Sequence, residues 1–127
     1  MDLDSLRWKN RILILFSPSA SDRAHRLQKQ ELESRSREVI ERDLVVLEIL
    51  EQGSSRAGDR VLSKNAVESI RRRFDVRAGA FQLILIGKDG AVKLRSDQPG
   101  TAKDIFGLID SMPMRRQEME GERKPSS

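Results

Sequence analysis

Hydrophobic and polar positions alternate along this chain in a few short, distinct blocks. The most informative block is Gln82–Arg95, in which Leu83, Leu85 and their neighbours Ile84 and Ile86 run without interruption into Gly87-Lys88-Asp89-Gly90, after which Val92 and Leu94 alternate with Lys93 and Arg95. An Asp-Gly pair between two such runs predicts a β-hairpin, because glycine accepts a positive φ without a steric penalty. The first run is apolar on both faces and predicts an interior strand covered from both sides; the second predicts a half-exposed strand.

Two further continuous runs, Ile12–Phe16 and Leu44–Leu50, read as buried strands. The first ends at Ser17-Pro18-Ser19, a turn in which Ser19 or Ser21 is expected to cap the next helix, Ser19 forming a capping-box spacing with Asp22. Residues 22–43 predict one long polar helix with six basic and six acidic residues. In it Glu31–Arg35, Glu33–Arg37 and Glu38–Arg42 are expected as i,i+4 ion pairs, over a thin apolar stripe of Ala24, Leu27, Leu32 and Val39. A strand, a helix and a strand at this spacing imply right-handed parallel pairing.

Gln52–Asp59 reads as a flexible loop, and Ser63 as the cap of a helix through Phe74 that places Val67, Ile70 and Phe74 on one face. Thr101, with Asp104 three residues on, predicts a last helix whose stripe is Ile105, Leu108, Ile109 and Met112, with Pro113 as its stop. Leu3, Leu6 and Trp8 are expected to close one end of the core. Residues 5–114 thus read as one domain, and the charged segment 115–127 as a largely disordered tail. The order is β-α-β-α-β-β-α: an α/β, single-domain, three-layer thioredoxin-like fold, with helices on both faces of a four-stranded sheet.

Composition narrows the chemistry. The 127 residues include no cysteine, which excludes disulfides, thiol catalysis, Cys-ligated zinc and iron–sulfur clusters. The single histidine, His25, falls short of the three or four ligands of a dedicated zinc site, so neither metal nor cofactor is expected. No apolar run approaches the roughly 20 residues of a membrane span. Met1-Asp2-Leu3-Asp4 does not open a signal peptide, so the chain as written is expected in the cytoplasm.

Several segments carry a more specific likeness: Leu6-Arg7-Trp8-Lys9-Asn10-Arg11, Phe16-Ser17-Pro18-Ser19-Ala20, Glu41–Val46, Arg71-Arg72-Arg73-Phe74, Leu85–Gly90, Val92–Arg95 and Ile109–Glu118 with its Met112-Pro113-Met114-Arg115 core. Over residues 5–118 they resemble P-DUDES, a domain of unknown function found in bacterial proteins and in vertebrate sushi-repeat-containing and related matrix proteins. The resemblance implies a thioredoxin-like fold close to the peroxiredoxins and brings no established activity. It also implies an exported or extracellular place for a chain whose signal has been removed.

Thioredoxin-like enzymes hold their redox cysteine just after the first strand, where a helix N-terminus lowers the thiol pKa. Here that loop holds Ser17, Ser19, Ser21 and Arg23, followed by His25; it is a candidate anion site, set against the plainer reading that the serines cap the helix and His25 faces solvent. Residues 56–77 carry seven basic residues against three acidic ones, a net of +4, and Arg60, Lys64, Arg71, Arg72, Arg73 and Arg77 form a candidate polyanion-binding face. Arg71 to Arg73 are consecutive, so a helix spreads them over about 200°. The leading functional reading is a non-catalytic interaction or scaffold module with another protein as partner; the alternative is small-anion or polyanion binding through the serine loop or the basic helix.

Overall fold

The computed structural model describes residues 3–123. After a short 3₁₀ turn, Leu3–Leu6, the elements are β1 (Arg11–Ser17), α1 (Arg23–Glu33), α2 (Ser36–Glu41), β2 (Leu44–Leu50), β3 (Arg56–Ala57), β4 (Arg60–Val61), α3 (Lys64–Phe74), β5 (Gln82–Ile86), β6 (Val92–Ser96), α4 (Ala102–Asp110) and α5 (Pro113–Arg123). One mixed sheet runs in the order β4-β3-β2-β1-β5-β6. β1 lies parallel to β2, with Ser17 opposite Leu50, and antiparallel to β5, with Leu13 opposite Leu85.

The continuous apolar strands form because both sheet faces are covered. Ile12, Ile14 and Phe16 of β1 pack with Ile84, Ile70 and Phe74 on the α3 side. Leu13 and Leu15 pack with Leu83, Leu85, Leu32, Ile105 and Ile109 on the side of α1 and α4. Each such side chain, fully buried, contributes about 1.5–3 kcal/mol. Phe16 and Phe74 meet ring to ring, with centroids 6.1 Å apart at 60°. Caps fix the helix starts: Ser63 Oγ accepts from Ala66 N, and Thr101 Oγ1 from Asp104 N.

The structure departs from the sequence expectations in several places. The 22–43 helix is broken at Ser34-Arg35, where the Ser34 hydroxyl bonds the Glu31 carbonyl and Arg35 leaves helical geometry at φ −132°, ψ 39°. Its ion pairs also rearrange: Glu31 instead accepts from Ala102 N and Glu33 pairs with Lys29, while Glu38 keeps Arg42 at 4.0 Å. Leu27 is exposed. The 52–59 loop holds β3, and with β4 it makes a ribbon turning on Gly58-Asp59, with Gly58 at φ 59°, so the sheet has six strands rather than four. Leu3 and Leu6 do join the core, but Trp8 is 59% exposed.

The largest departure lies at the C-terminal end of the domain. α4 does end just before Pro113, as expected, but Pro113 also opens a further helix, α5, at the position where a missing N–H costs nothing. Residues 115–123 of the expected tail are therefore helical, and residues 124–127 lie outside the described residues. No described helix is long and apolar enough to cross a membrane.

Candidate functional site

At the C-terminal end of β1 the chain closes a buried hydrogen-bond series. Ser17, the last residue of β1, is wholly buried, and α1 begins six residues later. Asp22 caps α1, its carboxylate accepting from His25 N. This turns His25, Gln28 and Leu32 inward at helical spacing. The Ser17 Oγ and His25 Nδ1 lie 2.7 Å apart, and His25 Nε2 is 2.8 Å from Glu48 Oε1, which β2 brings alongside. Lys29 Nζ reaches the other oxygen, Oε2, at 3.4 Å.

The protons in this series follow from the carboxylate. The hydrogen bond from His25 lowers the Glu48 pKa, and the charge of Lys29 adds to it, against burial that works the other way. The ionised carboxylate only accepts, so Nε2–H donates to it. In the tautomer that leaves Nδ1 without a proton, that nitrogen accepts from the Ser17 hydroxyl. For Lys29, burial alone works against the charged form, but Glu48 and Glu33 outweigh it and raise its pKa.

Hydroxyl, imidazole and carboxylate in series are the parts of an activated serine nucleophile. Access decides what they do here: Ser17 is 0% and His25 1% exposed, so no acyl group reaches the hydroxyl. The series instead fastens α1 to β1 and β2. Gln28 extends the fastening, its amide both donating to Gly100 O (3.0 Å) and accepting from Gly100 N (2.8 Å).

Other residues of the loop lie apart from this series. Ser19 and Ser21 are bonded to each other at 3.0 Å, and Arg23 is exposed. The helix cap is thus Asp22 rather than a serine, and His25 is buried rather than facing solvent. Beside Glu48 opens a pocket of about 440 Å³, lined by the apolar Leu32, Val39, Ile40 and Val46 and by polar groups that include Lys29, Glu33, Glu48 and Asp59.

The basic residues differ in what they contact. Arg60 sits on β4, Lys64 opens α3, and Arg72 and Arg77 are exposed; none of these four makes an ion pair among the described residues. Arg71 turns over the Phe16 ring at 6.0 Å, while Arg73 pairs with Asp4 at 3.2 Å and stacks on Phe74.

Sequence reasoning about sites missed the opposite end of the sheet. There Arg11, only 1% exposed, donates from both terminal nitrogens to Glu118 of α5, and from Nη1 also to the Arg42 carbonyl. The buried Lys88 bridges Glu118 and Asp43, each at 2.9 Å, so the hairpin tip holds an ionic node rather than plain turn chemistry. Arg42 grips Asp110 through two nitrogens, at 3.1 and 2.8 Å, and lies over the Phe106 ring at 4.6 Å. Arg115 also donates to Asp110. Burial alone would raise the pKa values of Asp110 and Glu118, but their cationic partners outweigh it and hold both carboxylates low. Arg11 Nε stays buried without a hydrogen-bond partner. The visible sequence signal was the set of motifs quoted above, since Arg11, Asp43, Lys88, Arg115 and Glu118 all belong to them.

Comparison with known proteins agrees with this fold. Reduced 2-Cys peroxiredoxin of Plasmodium vivax superposes with a TM-score of 0.66 at 14% identity, over 92% of this chain and 85% of that one. Thioredoxin peroxidase I of Plasmodium yoelii gives the same score at 20% identity, over 99% and 84%. At such identities the likeness is one of fold: thioredoxin-like, on a single mixed α/β domain. Sushi repeat-containing protein SRPX2 of Xenopus laevis is 31% identical over 112 residues, 86% of this chain and 24% of that protein. Its Homo sapiens counterpart is 28% identical over 96% and 27%, and coiled-coil domain-containing protein 80 of Danio rerio 31% over 92% and 15%. The chain thus spans about a quarter or less of the length of these relatives. The family described as Domain of unknown function (DUF4174) matches residues 2–118, and the chain belongs to that family.

Proposed function

We propose that this chain is a non-catalytic interaction module on a thioredoxin-like frame, with another protein as its partner. The observation that carries the reading is the plugged end of β1: Ser17 has no exposed surface and is locked through His25 to Glu48. The pocket beside Glu48 supports an apolar contact surface, since Ile40 on its rim is 73% exposed. The finer assignment to the P-DUDES group, and an exported location, belong to the same proposal; the likeness to sushi repeat-containing proteins supports them.

Two measurements test it. Purified protein incubated with hydrogen peroxide and dithiol, with insulin disulfides and with nitrophenyl esters is expected to show no turnover above buffer. Turnover that disappears in His25→Ala, with the circular dichroism unchanged, overturns the proposal. A photo-crosslinking residue at Ile40 is expected to give one discrete adduct in extracts of the source cells, lost in a Val39→Asp background.

The polyanion reading draws support from Arg60, Lys64, Arg72 and Arg77, exposed and without ion pairs among the described residues. Amide shifts on those residues with heparin at low salt, removed by added salt, would favour it.

A further inference from the structure

We propose that the pocket between the loop after β2 and helix α3 binds a small aliphatic carboxylate, held by Arg71. The pocket measures about 500 Å³, within the range of small-ligand sites. Leu50, Leu62 and Val67 give it an apolar wall. Its charged groups are Arg71, Lys64, Glu51 and Glu68.

Arg71 is the exception among the buried and half-buried cations of the described residues. Arg11, Lys29, Arg42, Lys88 and Arg115 each hold a carboxylate in an ion pair. Arg71, half-buried, has no ion pair and no hydrogen bond; it meets only the face of the Phe16 ring, with Cζ 6.0 Å from the centroid. A ring face recovers part of what a guanidinium loses in leaving water, but it supplies no acceptor for the N–H groups.

The three nitrogens of Arg71 set the approach of a ligand. Nη1 is sealed from solvent, and no ligand reaches it. Nε and Nη2 make no hydrogen bond and keep accessible surface. Together they form the side edge of the guanidinium, whose parallel N–H groups match the two oxygens of a carboxylate. Lys64 lies two helical turns earlier on the same face of α3, and it too has no ion pair among the described residues.

The acids fix the charge of the ligand. Glu51 accepts from Gly79 N at 2.8 Å, and neither it nor Glu68 pairs with Arg71 or Lys64. Two cations against two acids leave the pocket near neutral, so a dianion such as phosphate would set its second charge against Glu51 and Glu68. A monoanion avoids that repulsion, and the apolar wall takes a short hydrocarbon tail. Arg60, Arg72 and Arg77, on which the polyanion reading draws, do not line this pocket.

The probe is hexanoate, followed through the backbone amides of the labelled chain, with hexanamide and inorganic phosphate beside it. Saturable shifts at Leu62, Val67, Glu68 and Arg71 are expected with hexanoate. Hexanamide should bind roughly tenfold more weakly for want of charge-assisted hydrogen bonds, and phosphate more weakly as well. Arg71→Met keeps the apolar stem over Phe16 without the fork and is expected to abolish saturation. Arg71→Lys keeps the charge without the fork and should weaken hexanoate severalfold; it decides the matter where the amide spectrum of the methionine variant shows a lost fold. No saturable shift, an equal response to hexanamide, tighter binding of phosphate, or an unaltered affinity in the folded Arg71 variants each overturns the proposal. Shifts with heparin alone overturn it too, and leave the exposed arginines as the anion site.

Discussion

Glu118 and Arg11 stand 107 positions apart in sequence, yet both carboxylate oxygens of one meet both terminal nitrogens of the other, at 3.1 and 3.0 Å. This parallel pair joins the last described helix to the first residue of the central strand. It turns a segment rich in charge into part of the folded domain. Glu118→Gln removes the counter-charge of the buried guanidinium and is expected to cost about 3 kcal/mol, the usual scale for breaking one side of a buried pair. Urea unfolding checks the magnitude, and protease sensitivity of residues 113–123 checks the place. A loss under about 0.5 kcal/mol would show that α5 docks without this pair.

The Ser17–His25–Glu48 series predicts a stability phenotype. His25→Ala leaves a hydroxyl and a carboxylate without their shared partner and opens a cavity, together about 3 kcal/mol. Ser17→Ala deletes only the outer donor and should cost about 1 kcal/mol. Equal losses in the two variants would contradict a series in which the imidazole bonds on both sides.

Acid should release the ionic network. Glu48, Asp110 and Glu118 all have folded-state pKa values below the ordinary carboxylate range, Glu48 chiefly through its bond from His25, the other two through arginine and lysine partners that outweigh burial. The folded protein then binds fewer protons than the unfolded chain at mildly acid pH, so stability rises with pH there. The contribution is complete above about pH 5 and is lost as pH falls through the depressed folded values. Urea midpoints between pH 7 and pH 3 should fall more steeply in the wild type than in a Glu48→Gln, Asp110→Asn, Glu118→Gln variant. Parallel curves would refute the assignment.

Asp75 caps the C-terminus of α3 in left-handed geometry, φ 48° and ψ 53°, where glycine is the usual occupant. Its N–H bonds the Arg72 carbonyl and its own carbonyl accepts from Arg95, both backbone-level contacts on its side that survive substitution. Asp75→Gly should therefore gain about 0.5 kcal/mol, relief of the left-handed strain exceeding the added flexibility of the unfolded chain. Thermal unfolding detects it; a destabilised variant would mean that the aspartate side chain itself contributes.

Local pattern carried most of the frame. The strands β1, β2 and β5 announce themselves as continuous apolar runs because both of their faces are covered, and Ser63 and Thr101 mark helix starts by the hydroxyl that caps them. Gly58-Asp59 was a readable two-residue turn, hidden by the serines around it. The misreadings share a physical origin in partners distant along the chain. His25 looks like any polar helix residue until β2 delivers Glu48, and α5 looks like a solvated tail until Arg11 and Lys88 are placed beneath it. Charged side chains carry no local mark of whether their counter-ion is water or a guanidinium many residues away.

The strand order has a last consequence for how this domain behaves in a crowd of its own copies. One border of the sheet is β4, only Arg60 and Val61, and the other is β6, which presents exposed Lys93 and Arg95. A two-residue border is too short to template a neighbouring chain, and a border studded with cations repels its own image. Fibril growth by strand addition is thereby disfavoured at both sides. A protein that docks on this domain must find its grip on helices and pockets, and must leave the sheet's borders bare.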